Sequence, residues 1–544
     1  MRPPQASQPV ASPALDGAAP GARSASAQVH SVDLSISLVS HTNAGKTTLA
    51  RTLLGRDVGE VRDEAHVTEL AEPFTLIESD AADRLLLWDT PGFGDSQRLA
   101  KRLALQGQAL GWLLSEVWDR WRDRAFWASQ RAIRHVLEQA DVALYLVNAA
   151  EAPDDAGYLA SELLVLGLLG KPVIVLLNQL GPPGSAEDEA RQVQRWQQHL
   201  HALQAQPGSA RVLAVLPLDA FARCWLQESV LLRAVAAALP ADRQAAMQRL
   251  NDAWALRQQR IWQSSMAVLA ERLASAALDR EPVAGADWRA PLRALKSLSS
   301  ALGGGGDEQP AHDPAMAALA LRLDTEVRRS TAALIALHGL QGQASAEVLA
   351  FLARDFARRE PVHEGRAALM GGAVAGALAG LKADLASGGL TLGGGLLAGG
   401  VLGALGAAGA AHGVNRIRGL SQPLLAWDEK VLGNLLRTAL LAYLAVAHHG
   451  RGRGDWQASV PPAAWGEAVD AVLAERRDAI DELWHGRQRW LAEDALALAQ
   501  RRSALMAAAH ALLADACAAM LARLYPEAST LLGLADWAAA PAQV

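Results

Sequence analysis

From about Val32 to Leu239 short apolar runs alternate with longer stretches of helical periodicity, and few folds accept that alternation. It is the pattern of a mostly parallel sheet with helices on both faces. "VDLSISLVS" reads as a first strand, "PFTLIES" and "DRLLLWD" as a strand pair, and "DVALYLVNA", "PVIVLLNQ" and "RVLAVLPL" as three more. The last three are continuous apolar runs, as strands buried on both faces require. After Leu239 the strand pattern stops, and residues 240–544 read as successive amphipathic helices. In "AVDAVLAERRDAIDELW", for example, Val469, Val472, Leu473, Ile480, Leu483 and Trp484 share one helical face.

The first strand runs into "SHTNAGKTT" and then the helical "TTLARTLLG". A phosphate-binding loop needs this context, because its backbone N–H groups and the helix N-terminus behind them cradle the anion. Gly45 permits close backbone approach, Lys46 reaches the β- and γ-phosphates, and the Thr47 hydroxyl can ligate magnesium. Ser40 stands where the first glycine of G-x-x-x-x-G-K-[ST] belongs. About forty residues on, "RLLLWDTPG" ends an apolar strand in Asp89 and reaches Gly92. A D-x-x-G there supplies a carboxylate for the magnesium shell and an N–H that senses a γ-phosphate. Thr68, in "VRDEAHVTEL", precedes the next strand and is placed to close on magnesium when triphosphate is bound.

These motifs, in this order, resemble the translation-factor-related P-loop GTPases, nearest the Era/TrmE-like branch with its N-x-G-K-[ST] loop and D-T-P-G. The long helical region resembles that of bacterial GTPase-like proteins whose C-terminal domain has no assigned function. The GTPase resemblance covers about residues 32–239. It implies GTP and GDP as ligands, with ATP as the alternative nucleotide. It also implies Mg2+ held by Thr47, Thr68 and Asp89, and a phosphate cradle of Asn43, Ala44, Gly45, Lys46, Thr47 and Thr48. Lys46, Thr68 and Gly92 are then the residues that act on the triphosphate. Asn43 matches the loop asparagine that helps hold K+ in some relatives. Phe93 follows the D-x-x-G where some relatives carry a water-orienting glutamine, so intrinsic hydrolysis is expected to be slow unless positive charge comes from elsewhere. The family's N-K-x-D reads Asn178, Gln179, Leu180, Gly181. Asn178 and Gln179 remain for the base, but Gly181 offers no carboxylate to the guanine edge. Asp219, in the loop after the last strand, is a candidate replacement.

A chain of 544 residues is too long for one ordinary core. The predicted division is a disordered leader over 1–30, without the continuous apolar run of a secretory signal, a GTPase domain over 31–239 with a helical insertion at about 98–140, and a helical domain over 240–544. The insertion carries Trp112, Trp118, Trp121 and Trp127 among arginines, either as a packed helical pair or as an effector arm. Within the helical domain, residues 366–416 repeat glycine every four residues, at Gly372, Gly376 and Gly380 and again at Gly395, Gly399 and Gly403. That spacing lets two helices approach closely, as a buried hairpin or as one that associates with a membrane. The net charge of −6 gives no support for nucleic acid held through phosphates. Two distant cysteines, Cys224 and Cys517, form no disulfide framework and suit a reducing cytosol. His448 and His449 read as ordinary helix-end or surface residues.

The expectation is therefore an α/β P-loop NTPase domain followed by an all-α domain with a glycine-rich helical hairpin. Functionally it is a slow GTPase, stimulated by potassium or a partner, that switches a helical effector or membrane-associating domain. It is cytoplasmic or attached to the inner membrane, with self-association as a further expectation. The alternatives are a non-hydrolysing, nucleotide-stabilised scaffold and a membrane-remodelling GTPase of dynamin type.

Overall fold

A computed structural model of the chain describes residues 31–42, 44–55, 72–93, 96–104, 124–181, 186–220, 224–282, 314–340, 424–427, 429–448, 462–486 and 495–539. The glycine-ribbed segment, Asn43, Thr68, Trp112, Trp118, Trp121 and His449 lie outside these residues.

The N-terminal part is an α/β sheet domain. In chain order it contains β1 (Asp33–Ser40), α1 (Lys46–Leu54), β2 (Glu72–Glu78), β3 (Arg84–Asp89), α2 (Ser96–Ala104), α3 (Arg124–Gln139), β4 (Val142–Asn148), α4 (Leu159–Leu169), β5 (Val173–Asn178), α5 (Ala186–Gln204), β6 (Val212–Pro217) and α6 (Trp225–Ala238). Among the described residues the sheet order is β2-β3-β1-β4-β5-β6. All neighbours pair in parallel except β2 with β3, which form an antiparallel edge hairpin. The strands alternate their side chains between two hydrophobic clusters. In β4, Val142, Leu144 and Leu146 enter one, while Ala143, Tyr145 and Val147 enter the other. β6 departs from the expected buried strand: it is the sheet edge, and Leu213 is 41% exposed.

The helical part follows without a break in packing. α7 (Ala241–Leu278) runs for 38 residues, then come β7 (Arg280–Pro282), α8 (Pro314–Leu337), β8 (Leu424–Ala426), α9 (Glu429–Ala447), α10 (Ala463–Glu475), α11 (Arg477–Gly486), α12 (Ala495–Leu524), α13 (Pro526–Leu532) and α14 (Leu534–Ala539). The apolar face predicted for residues 468–484 is present, with Val469, Val472, Leu483 and Trp484 buried. The helix is nevertheless split at Arg476, whose backbone leaves the helical region. α9 and the Ala499–Leu524 stretch of α12 are long and apolar enough to cross a membrane. Their apolar windows are 72% and 56% buried, however, so most of that surface is already spent on neighbouring elements.

α6 joins the two parts. A single hydrophobic cluster runs from Leu34, Ile36 and Leu38 of β1 through Leu226 and Leu231 to Trp262, Leu436 and Leu513. The Trp225 indole N–H donates to the Tyr443 hydroxyl at 3.1 Å, and its ring stacks on Trp537 with centroids 5.8 Å apart. His448 follows the end of α9, one of the two places expected for it, and there it is buried, its Nδ1 against the Leu444 carbonyl and its Nε2 2.5 Å from the Tyr525 hydroxyl.

A second junction is polar. Asp83, in the β2–β3 turn, is fully buried. It accepts Arg249 Nε at 2.6 Å and Nη2 at 2.9 Å, the Ser79 hydroxyl at 2.8 Å and the Val32 N–H at 3.1 Å. Asp141 similarly accepts Arg243 from α7 and the Ser35 N–H. The Arg249 guanidinium, helped by Ser79 and Val32, holds the Asp83 carboxyl below the usual carboxylate range. A depressed folded value stabilises the protein above the unfolded value and is lost as pH falls through the folded one. Stability should therefore drop below about pH 4, and Asp83→Asn should flatten that drop while lowering stability at pH 7. Urea unfolding at the two pH values checks this.

Candidate functional site

The strand-to-helix turn from Ser40 to Lys46 forms the centre of the site. Gly45 sits at φ 86° at the N-cap of α1, a backbone region that costs side-chain-bearing residues dearly. A Cβ on Gly45 would lie 2.7 Å from Asn178 Nδ2, so only glycine fits. Lys46 is 8% exposed, and its Nζ donates to Ser40 Oγ at 2.9 Å. Burial lowers the Lys46 pKa, while the charges of Asp89 and Glu162 oppose that shift. Thr47 Oγ1 donates to Asp89 Oδ2 at 2.5 Å, which brings two hard oxygen donors together from positions 42 residues apart. Gly92 closes over the loop: a Cβ there would be 3.0 Å from both Lys46 Nζ and Thr42 Cα. Its neighbour Phe93 donates its N–H to the Ser40 carbonyl at 2.9 Å, and the ring is buried in the cluster under the opposite sheet face.

The candidate base loop is tied to the phosphate loop. Asn178, fully buried at the end of β5, donates through Nδ2 to the Ala44 carbonyl and accepts the Ala220 N–H at Oδ1, both at 2.8 Å. One side chain thus staples three loops. Gln179 has φ 59°, and its amide lies 3.5 Å from where a Gly45 Cβ would be. Asp219 accepts the Leu180 N–H at 2.7 Å, so its carboxylate is held against this loop. Gly181 is exposed with φ 87° and faces open space.

Two family models match the chain. One, described as the 50S ribosome-binding GTPase, covers residues 35–179. The other, described as a domain of unknown function, DUF3482, covers residues 209–515, more than half of the chain. The chain belongs to the DUF3482 family. Its N-terminal part, with the α/β P-loop fold, matches the GTPase model and is read as a GTP-binding GTPase domain. Similar solved structures include a variant of Aquifex aeolicus Era bound to GDP·AlF4−, 20% identical, covering 38% of this chain and 57% of that one, with a TM-score of 0.26. Another is Era with MgGDPNP and a segment of 16S ribosomal RNA, 21% identical over 39% of this chain and 58% of that one, TM-score 0.28. The chain thus spans under two thirds of either structure. No curated protein matches it.

The DUF3482 match begins before β6, so the family region includes the loop of Asp219 and the junction helix α6. Of the predicted site residues, Ala44, Gly45, Lys46, Thr47, Thr48, Asp89, Gly92, Asn178 and Gln179 lie in or directly beside the β1–α1, β3–α2 and β5–α5 connections of this family member. All three connections leave the same edge of the sheet. Sequence reasoning passed over His41, Tyr145 and Glu162. His41 Nδ1 is 2.8 Å from Glu162 Oε1, and the Tyr145 hydroxyl donates to Glu162 Oε2 at 2.6 Å. The lone carboxylate in the apolar "LASELLVLGLL" was the available signal.

Proposed function

We propose that this protein is a nucleotide switch that binds GTP with Mg2+, hydrolyses it slowly and passes its state to the helical domain. The observation that carries the reading is the meeting of Lys46, Thr47, Asp89 and Gly92 at one turn. Lys46 and the N–H groups of residues 43–48 take the β- and γ-phosphates. Thr47 and Asp89 are oxygen donors of the kind Mg2+ prefers, and Thr68 is the proposed third donor when triphosphate is bound. Gly92 senses the γ-phosphate. The ion itself neutralises charge on the β- and γ-oxygens when bound. Phe93, buried away from the loop, offers no hydrogen bond to an attacking water, which supports slow turnover. Asn43 is proposed to help hold K+; equal turnover in potassium and sodium buffers would remove that part.

The proposed route to the helical domain starts at β3, which ends in Asp89 and begins at the turn that Arg249 of α7 grips. A shift of the Asp89–Gly92 segment on γ-phosphate release is transmitted along this hairpin. Residues 1–30, 31–239 and 240–544 are proposed as leader, GTPase domain and effector domain, with α6 shared between the cores of the last two. The effector is a protein or membrane surface in the cytoplasm. Self-association, the dynamin-type alternative and membrane entry through 366–416 are tested together by nucleotide-dependent sedimentation with and without lipid vesicles.

Base selection is expected to be weak. The contact a carboxylate at 181 would make is absent, and hydrogen bonds to charged groups are worth roughly 1.5–3 kcal/mol each. GTP should still bind, with ATP and XTP competing within about a hundredfold. Displacement of a fluorescent GDP analogue by each nucleotide, Mg2+ present, is the test. No displacement by GTP rejects the reading, and a preference of many thousandfold for GTP would show that another group reads guanine. The non-hydrolysing scaffold is favoured by the same eroded loop and is separated by turnover.

A further inference from the structure

We propose that Ser40, the residue that breaks the phosphate-loop consensus, is a positioning residue for Lys46. The proposal rests on the reading that this loop binds the phosphates of GTP.

Ser40 is fully buried at the end of β1. Its hydroxyl has one proton and two lone pairs. The proton is committed to the His41 carbonyl, which leaves a lone pair for Lys46 Nζ at 2.9 Å. An ammonium has three donors; one on Ser40 leaves two for phosphate oxygens. The His41 carbonyl is in turn well anchored. The His41 ring stacks on Tyr158 with centroids 4.4 Å apart and planes 18° apart, and Nδ1 meets Glu162. Glu162 is 0% exposed and is gripped from behind by the Tyr145 hydroxyl. An unbroken path therefore runs from Tyr145 in β4 through Glu162 of α4 and His41 to Ser40 and the Lys46 ammonium.

Glycine at position 40 would remove the acceptor and leave a buried ammonium with Asp89, whose charge acts on it, as a competing partner. Asp89 is the carboxylate assigned above to Mg2+. Ser40 thus keeps Lys46 aimed at the phosphates and away from the metal ligand.

The test uses the full chain and a fluorescent GDP analogue with GTP as competitor. Ser40→Ala and Ser40→Gly should each weaken binding about tenfold, as expected for one hydrogen bond to a charged group. In a Lys46→Gln background, Ser40→Ala should change affinity less than twofold, because the interaction it removes is already gone. Two results overturn the proposal alone: Ser40→Gly binding as tightly as wild type or tighter, or Ser40→Ala costing the same factor with and without Lys46. A wild-type chain that binds no nucleotide overturns the function reading and this proposal with it.

Discussion

Lys46→Ala should weaken GTP binding at least about a hundredfold. Two charge-assisted hydrogen bonds to phosphate oxygens at roughly 1.5–3 kcal/mol each account for that factor. The effect should fall on nucleotide binding and spare the fold. Lys46 is buried, but its described partner is the Ser40 hydroxyl, and burial already disfavours its charge. Removing the ammonium therefore takes away an ion the protein holds at a cost. Calorimetric titration of GTP into wild type and variant, with melting curves alongside, checks both halves. An unchanged affinity would mean that the loop does not grip phosphate.

The largest stability effect should come from Trp225→Ala. Trp225 is 5% exposed in α6 and sits in the hydrophobic cluster that the sheet domain and the helical domain share. Truncation removes its stacking on Trp537, its contact with Trp254 and its hydrogen bond to Tyr443. Buried tryptophan-to-alanine changes cost about 3–5 kcal/mol. Because the cluster is continuous, the variant should lose sheet and helical structure together, in one transition at lower denaturant. The contrast is Leu213→Ala on the sheet edge, 41% exposed, which should stay within about 0.5 kcal/mol of wild type. Circular dichroism and tryptophan fluorescence during urea unfolding separate these outcomes.

The phosphate loop was legible in the sequence because its chemistry is local. A strand, a turn carrying Gly45 and a helix opening at Lys46 lie within twenty residues, and Asp89 is marked by its own D-x-x-G. The doubly covered strands β4 and β5 were legible for a similar reason, since burial on both faces leaves an unbroken apolar run. β6 has nearly the same run, yet it is the edge strand, because strand order depends on pairings that no local pattern encodes. The break at Arg476 was hidden because Val472 and Leu483 keep to one apolar face on either side of it. Ser40 stands out in the sequence only as a departure from the consensus, for the contact between its hydroxyl and the ammonium six residues later forms in three dimensions. The Glu162 network was further out of reach, joining His41 to a residue 121 positions away. The junction through Trp225 and Tyr443, 218 positions apart, was invisible for the same reason. It is why the predicted boundary after Leu239 falls beside a helix that packs both ways.

Turnover tests the account most directly. The purified 544-residue chain in excess over γ-labelled GTP, with Mg2+ and potassium, should release phosphate slowly and in a single phase. Lys46→Ala should release none above the buffer blank. Release from the wild type no faster than from the Lys46 variant, with GTP bound, would contradict a hydrolysing switch and leave a nucleotide-stabilised scaffold in its place.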